Sequence, residues 1–152
     1  MSFELTSPAF TQGSPIPAKY TCTGENVSPE LKWANLPTGT QSLALILDDP
    51  DAPGGTFTHW VMYNLPAIQA GLKEDVQPLE RFSDGSLSGK NSAGKLGYTG
   101  PCPPSGTHRY FFKLYALDGK VALASGATAG QLVQAIQGHV LAETELMGTY
   151  RK

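Results

Sequence analysis

The sequence predicts an all-β fold, an antiparallel β-sandwich carrying one or two short helices. Short runs rich in β-branched and aromatic residues recur along the chain, each bounded by a cluster of Gly, Pro, Asn or Asp, which is the pattern of strands joined by tight turns. The 17 glycines and 12 prolines supply that many turns and leave little room for long helices. One run, Leu43–Leu47, is apolar at every position, so it reads as a central strand buried on both faces. The length of 152 residues suits one domain, taken as residues 1–152.

In chain order the expected strands are Phe3–Leu5, Lys19–Thr23, Glu30–Trp33, Ser42–Asp48, Thr58–Asn64, His108–Leu117 and Val140–Met147. The last alternates, with Val140, Ala142, Thr144 and Leu146 on one face and Glu143 and Glu145 on the other. Residues 67–97 read as a meandering surface segment with a short strand near Gly71–Val76. One helix is well signalled. Thr128 and Gln131 have the spacing of a capping box, Ala129, Leu132, Val133 and Ile136 form one apolar stripe, and Gly138 is a natural stop. His139, just past that stop, is expected to bond the last helical carbonyls.

Charge and composition narrow the partners. A net charge of −2 argues against nucleic acid or an anionic membrane surface, both of which ask for a basic face. No apolar run could span a bilayer, and the first twenty residues lack a charged start followed by an apolar block. A cytoplasmic protein with no stable membrane insertion is expected. Cys22 and Cys102 are too few for a disulfide framework and read as two reduced thiols. Asn26-Val27-Ser28 matches a glycosylation triplet that carries no meaning without secretion.

Three segments could carry chemistry. Asp48-Asp49-Pro50-Asp51-Ala52-Pro53 follows the most apolar strand. Asp48 and Asp51 suit ordinary turn chemistry, but Asp49 continues the parity of Leu43, Leu45 and Leu47 into the interior, where a carboxylate needs a donor. In Thr58–Asn64, alternation puts His59 on one face with Val61 and Tyr63. The stretch Tyr98–Tyr110 is a restricted Gly/Pro loop whose Gly100, Cys102, Ser105 and Gly106 N–H groups could line a rigid pocket. It leads into a strand with His108 and Tyr110 on one face and Arg109 on the other.

Asp49, His59, His108 and Tyr110 together have a coherent use. Imidazoles beside a carboxylate keep their protons to higher pH, and with a phenol and loop N–H groups they would offer donors to a small anion such as phosphate. A bare dianion would be repelled by Asp49, so a monoanion or a phosphomonoester with a donor head group fits better. The same residue types also suit a hydrolase built on an Asp/His general-base pair, or a metal site formed by Asp49, His59 and His108. No Ser stands in a Gly-x-Ser-x-Gly elbow, and prolines deny Cys102 a helix N-terminus that would activate it. A non-enzymatic role is therefore favoured.

At these residues the chain resembles the phosphatidylethanolamine-binding protein family, also called the Raf kinase inhibitor protein family. The resemblance rests on Asp49-Pro50-Asp51-Ala52-Pro53, on His59 followed by apolar residues and Asn64, and on Gly100-Pro101-Cys102-Pro103-Pro104 leading to His108-Arg109-Tyr110. Tyr20–Pro29 and Gly138–Tyr150 are similar to its bacterial and archaeal branch. The resemblance implies a β-sandwich with a small pocket for phosphate or a phosphoester head group, formed by Asp49, His59, His108 and Tyr110 with Gly100, Cys102 and Pro103 in the rim loop. It implies that Asp51 serves the loop rather than the ligand. It further implies a non-catalytic modulator of protein partners such as kinases or proteases, with no cofactor. Only Gly54–Thr58 separates the acidic stretch from His59, and the chain ends soon after its last strand, without the insert and helical extension of eukaryotic relatives. A homodimer would cover an apolar face left by that shorter end.

Overall fold

A computed structural model describes residues 2–152. Eight strands and one helix follow the order β1 (Glu4–Thr6), β2 (Leu31–Ala34), β3 (Ser42–Asp49), β4 (Phe57–Pro66), β5 (Gly71–Leu72), β6 (Leu87–Ser88), β7 (Thr107–Leu117), α1 (Ala129–Ile136) and β8 (Val140–Arg151). They form two antiparallel sheets, a small one ordered β1-β2-β5 and a large one ordered β6-β4-β3-β7-β8.

The all-apolar run Leu43–Leu47 lies in β3, at the centre of the large sheet, and all five side chains are buried. One face of the large sheet packs on the small one. Leu43, Leu45, Leu47, Trp60, Met62, Tyr110, Phe112, Leu114 and Leu146 meet Leu5, Leu31 and Trp33 there. The opposite face carries Ala44, Ile46, Val61, Tyr63, Leu87 and Leu117, covered by Val121, Ala127 and the buried side of α1, Leu132 and Ile136. β7 and β8 pair along nearly their whole length, from Thr107↔Arg151 to Leu117↔Val140. Leu146 and Gly148 of β8 are buried, and a Cβ at Gly148 would stand 2.5 Å from Ile16.

The helix forms as its sequence dictates. The Thr128 side chain accepts from the Gln131 N–H, the Gln131 side chain returns to the Thr128 N–H, and Gly138 has φ +82°. His139 departs from expectation. Its backbone N–H caps Ile136 (2.9 Å), but its ring pairs with Asp118 (2.9 Å) rather than with a helical carbonyl.

Two further readings are corrected. Lys19–Thr23 is not a strand. Ala18–Tyr20 makes a single 3-10 turn, with the Tyr20 N–H bonded to Pro17 and the Thr21 N–H and hydroxyl both bonded to Ala18, so local bonds take the groups a sheet would need. Residues 67–97 are not wholly superficial, since β6 pairs with Met62 and Tyr63, and residues 86–89 and Asn91 are buried. Side-chain bonds permit that burial. The Ser86 hydroxyl donates to Asp84 (2.6 Å) and the Asn91 amide donates to Gly97 (2.9 Å).

Candidate functional site

In an antiparallel sheet the end of β3 and the beginnings of β4 and β7 lie along one edge, so Asp49, His59 and His108 converge despite their distance in sequence. The loop 99–104 closes the edge. All seven residues expected in the pocket (Asp49, His59, Gly100, Cys102, Pro103, His108 and Tyr110) line one cavity of about 180 Å³, together with Ala52, Pro53, Phe57, Thr99 and Pro104. Ser105 and Gly106 do not line it.

Asp49 turns inward as its parity predicts and is 3% exposed. One carboxylate oxygen accepts the His108 Nδ1–H at 2.6 Å and the other accepts the Asp51 N–H at 2.8 Å. These two bonds make Asp49 orient His108 and the turn while it lines the cavity. Asp51 lies outside the cavity and grips Arg109 by its backbone N–H, Nε and NH2 at 2.8–2.9 Å. Those bonds to Arg109 hold the Asp51 carboxyl well below the usual carboxylate range, at about 2. Asp48, on the other face, accepts from Thr58 (2.9 Å) and pairs with Lys113 (3.3 Å).

His59 reaches the pocket by a route that alternation does not predict. The register of β4 on β3 runs Leu47↔Trp60, then Asp48↔Thr58 and Asp49↔Phe57, so His59 is the extra residue of a bulge. Val61 and Tyr63 face the helix side, whereas the His59 ring lies among Phe57 and Tyr110, with centroids 4.7 and 5.3 Å away. The shared face expected for His59, Val61 and Tyr63 is therefore corrected.

The two rings have the same tautomer but different partners. Thr99 C=O and the Asp49 carboxylate can only accept, so Nδ1 donates in both His59 (2.7 Å) and His108 (2.6 Å). Nδ1 is thereby engaged in each ring, and both rings line the cavity. Burial pushes the His59 pKa down, against the opposing pull of the Thr99 carbonyl and Asp49. A neutral His59 presents a bare Nε2, an acceptor where the sequence suggested a donor. Tyr110 is fully buried, and its hydroxyl has no hydrogen-bond partner among the described residues. Burial, then the nearby Asp49 charge, raises its pKa, so it remains a phenol able to donate.

The rim loop is fixed from behind. The Gly100 N–H does not face the pocket but donates to the Asn26 side chain (2.7 Å), and a Cβ at Gly100 would stand 2.3 Å from the Tyr20 carbonyl oxygen. The Tyr98 hydroxyl donates to Tyr20 C=O (2.6 Å) and the Cys22 N–H to Pro101 C=O (3.1 Å). These bonds lay the loop on residues 20–26, bring Cys22 and Cys102 to a Cα separation of 5.4 Å, and let them form a disulfide. The two reduced thiols expected from cysteine count are thus overturned. Counting speaks to the number of bridges, not to whether two segments meet. Sequence reasoning also missed Thr99, Asn26 and Phe57. Thr99 stood within the singled-out loop, but nothing marked its carbonyl as the partner of His59.

A larger hollow, about 410 Å³, lies on the outer face of β7 and β8, lined by Lys113, Tyr115, Glu143, Thr144 and Glu145. Its lone cation is already paired with Asp48, so it offers an anion nothing.

The family model for phosphatidylethanolamine-binding protein matches residues 6–151. The chain belongs to the phosphatidylethanolamine-binding protein family. Among relatives, the UPF0098 protein of Methanothermobacter thermautotrophicus is 52% identical over 97% of this chain and 98% of its own length. The UPF0098 protein of Chlamydia trachomatis is 44% identical over 98% and 99%. A crystal structure described as a phosphatidylethanolamine-binding protein homolog from Chlamydia trachomatis superposes with a TM-score of 0.91 at 43% identity, covering 99% of this chain and 98% of that one. Escherichia coli YbcL, described as a new member of the mammalian family, also gives 0.91, at 30% identity over 100% and 99%. These proteins are bacterial and archaeal, as is the branch the sequence resembles, and the two solved structures share its mainly β fold.

Proposed function

We propose that this family member is a non-catalytic, single-domain protein that binds phosphate or a phosphoester head group in the cavity of Asp49, His59, His108 and Tyr110, and that it modulates a protein partner of the kinase or protease type. The observation that carries the reading is the buried, unpartnered Tyr110 hydroxyl beside two imidazoles that line one small cavity with it. A cavity of about 180 Å³ is smaller than the roughly 300–1,000 Å³ of sites for drug-sized ligands. It suits a head group and not an acyl chain. Calorimetric titration with inorganic phosphate and a simple phosphomonoester tests this. Binding is expected for the native protein and is expected to be lost in Tyr110→Phe and His108→Ala. Absence of binding in the native protein ends the reading.

The hydrolase alternative keeps one supporting feature, the 2.6 Å Asp49–His108 pair, which is the arrangement of an oriented general base. Its thiol nucleophile is missing, because Cys102 is tied to Cys22. Turnover of a phosphomonoester or ester substrate abolished by His108→Ala would favour it. Among the described residues no group of three or more His, Cys, Asp or Glu side chains is placed to hold a metal, so nothing favours the metal reading.

No helix among the described residues is long and apolar enough to cross a membrane. The Cys22–Cys102 disulfide pulls against the cytoplasmic placement expected from the sequence, since an ordinary reducing cytosol keeps such thiols apart. A homodimer remains part of the proposal, supported by the exposed Val140 and Leu141 at the start of β8.

A further inference from the structure

The geometry points to a ligand specificity within that site: we propose that the cavity selects an oxyanion that carries its own proton, a hydrogenphosphate or phosphomonoester monoanion, over an unprotonated anion of similar size such as sulfate. The inference rests on the anion-binding reading and deepens it.

Its basis is the acceptor on His59, whose ring lines the cavity. Thr99 C=O fixes the ring with its proton on Nδ1, leaving Nε2 with a lone pair. A lone pair facing an unprotonated oxyanion repels it, whereas the O–H of a hydrogenphosphate satisfies it. The remaining polar groups complete a mixed set. Tyr110 supplies a hydroxyl without a partner among the described residues, and Asp49 is bonded to His108 and to the Asp51 N–H. A ligand with one O–H donor and several acceptor oxygens matches one fixed acceptor beside a phenol donor. Sulfate leaves the His59 acceptor unmet, and an unmet buried acceptor weakens binding by roughly tenfold to hundredfold.

The groups that could shift the His59 proton are few. From β3 there are Asp49 and, on the far face, Asp48. From β7 there are His108 and Tyr110. Asp51 stands farther out, bonded to Arg109, and Cys102 on the rim loop is in the disulfide. The Thr99 carbonyl, then the Asp49 and Asp48 carboxylates and the Gly100 carbonyl, favour a protonated His59, and burial opposes it as the larger effect.

The test compares inorganic phosphate with sulfate on the native protein by calorimetry at about pH 7.5 and about pH 5. At the higher pH, phosphate is expected to bind at least about tenfold more tightly than sulfate. Acidification favours the His59 proton that turns Nε2 from acceptor to donor, so sulfate, which does not itself titrate in this range, is expected to bind more tightly at the lower pH. The 15N shift of His59 Nε2 in the free protein is expected to be that of an unprotonated nitrogen at the higher pH. Equal affinity for the two anions at both pH values, or a protonated Nε2 at the higher pH, overturns the selectivity while leaving anion binding intact. Failure of both anions to bind overturns the anion reading and the selectivity with it. Binding of ethylammonium in their place does the same.

Discussion

Reducing the Cys22–Cys102 disulfide should cost this protein a large share of its stability. The bond joins residues 80 apart in sequence. In the chain-entropy account, closing a loop of that length in the unfolded state contributes about 4–5 kcal/mol at 25 °C. Stability in such domains totals only about 5–15 kcal/mol. For a chain of this size the loss corresponds to a fall in Tm of roughly 10–18 °C. The fold should survive, because the Gly100–Asn26, Tyr98–Tyr20 and Cys22–Pro101 hydrogen bonds still hold the loop. The assay is a thermal melt with and without a phosphine reductant, alongside the Cys22→Ser/Cys102→Ser double variant. The native protein should drop to the melting point of the variant, and the variant should not respond to reductant. Because Cys102 lines the cavity, phosphate affinity should weaken in parallel. A shift below about 3 °C in the native protein would refute the argument, since it would mean that the unfolded chain gains almost no freedom when the bond is cut.

Gly100→Ala should destabilise by about 1–3 kcal/mol in urea unfolding, because its Cβ would press on the Tyr20 carbonyl oxygen at 2.3 Å and the Asn26 Oδ1 at 2.4 Å, neither of which can retreat without losing a loop contact. The Asp51 carboxyl should titrate with a midpoint of about 2 by 13C NMR, below its ordinary 3.8. A depressed folded-state value means that the Asp51–Arg109 bonds stabilise the fold above pH 3.8 and that this contribution fades as pH falls from 3.8 through 2, so Asp51→Asn should flatten the stability profile in that window. Sedimentation over rising concentration should show a dimer that Leu141→Glu abolishes, with the far-UV circular dichroism of the fold unchanged because Leu141 is 43% exposed within one chain. A native monomer at every concentration would remove the dimer from the proposal.

The fold was legible wherever side-chain period decided it. Leu43–Leu47 announced the central strand, and Thr128, Gln131 and Gly138 announced the helix and its ends. It was illegible where local bonds or partners decided it. Residues 19–23 carry a strand-like pattern, yet the carbonyls of Pro17 and Ala18 close a 3-10 turn first. β6 is two residues long and gains its place only from pairing with β4.

At the cavity the limits are sharper. Asp49 could be placed by counting from Leu43, because β3 keeps its alternation to its end. Counting back from Val61 puts His59 on the wrong face, because period two holds only while the ladder is unbroken and the bulge adds one residue. The family resemblance put His59 in the pocket all the same, which period alone could not do. Neither route distinguishes the two imidazoles. In sequence, each is a histidine at the start of a strand beside a turn-rich segment. In three dimensions, one Nδ1 meets a neutral carbonyl contributed by the loop and the other meets a carboxylate from the adjacent strand. The chemistry of an anion pocket depends on that difference, because a ring's partner at one nitrogen fixes what its other nitrogen can offer. A residue count can suggest a positive cup of two imidazoles, whereas the proposed preference for a ligand that brings its own proton rests on the Thr99 carbonyl, which holds the proton of one ring at Nδ1.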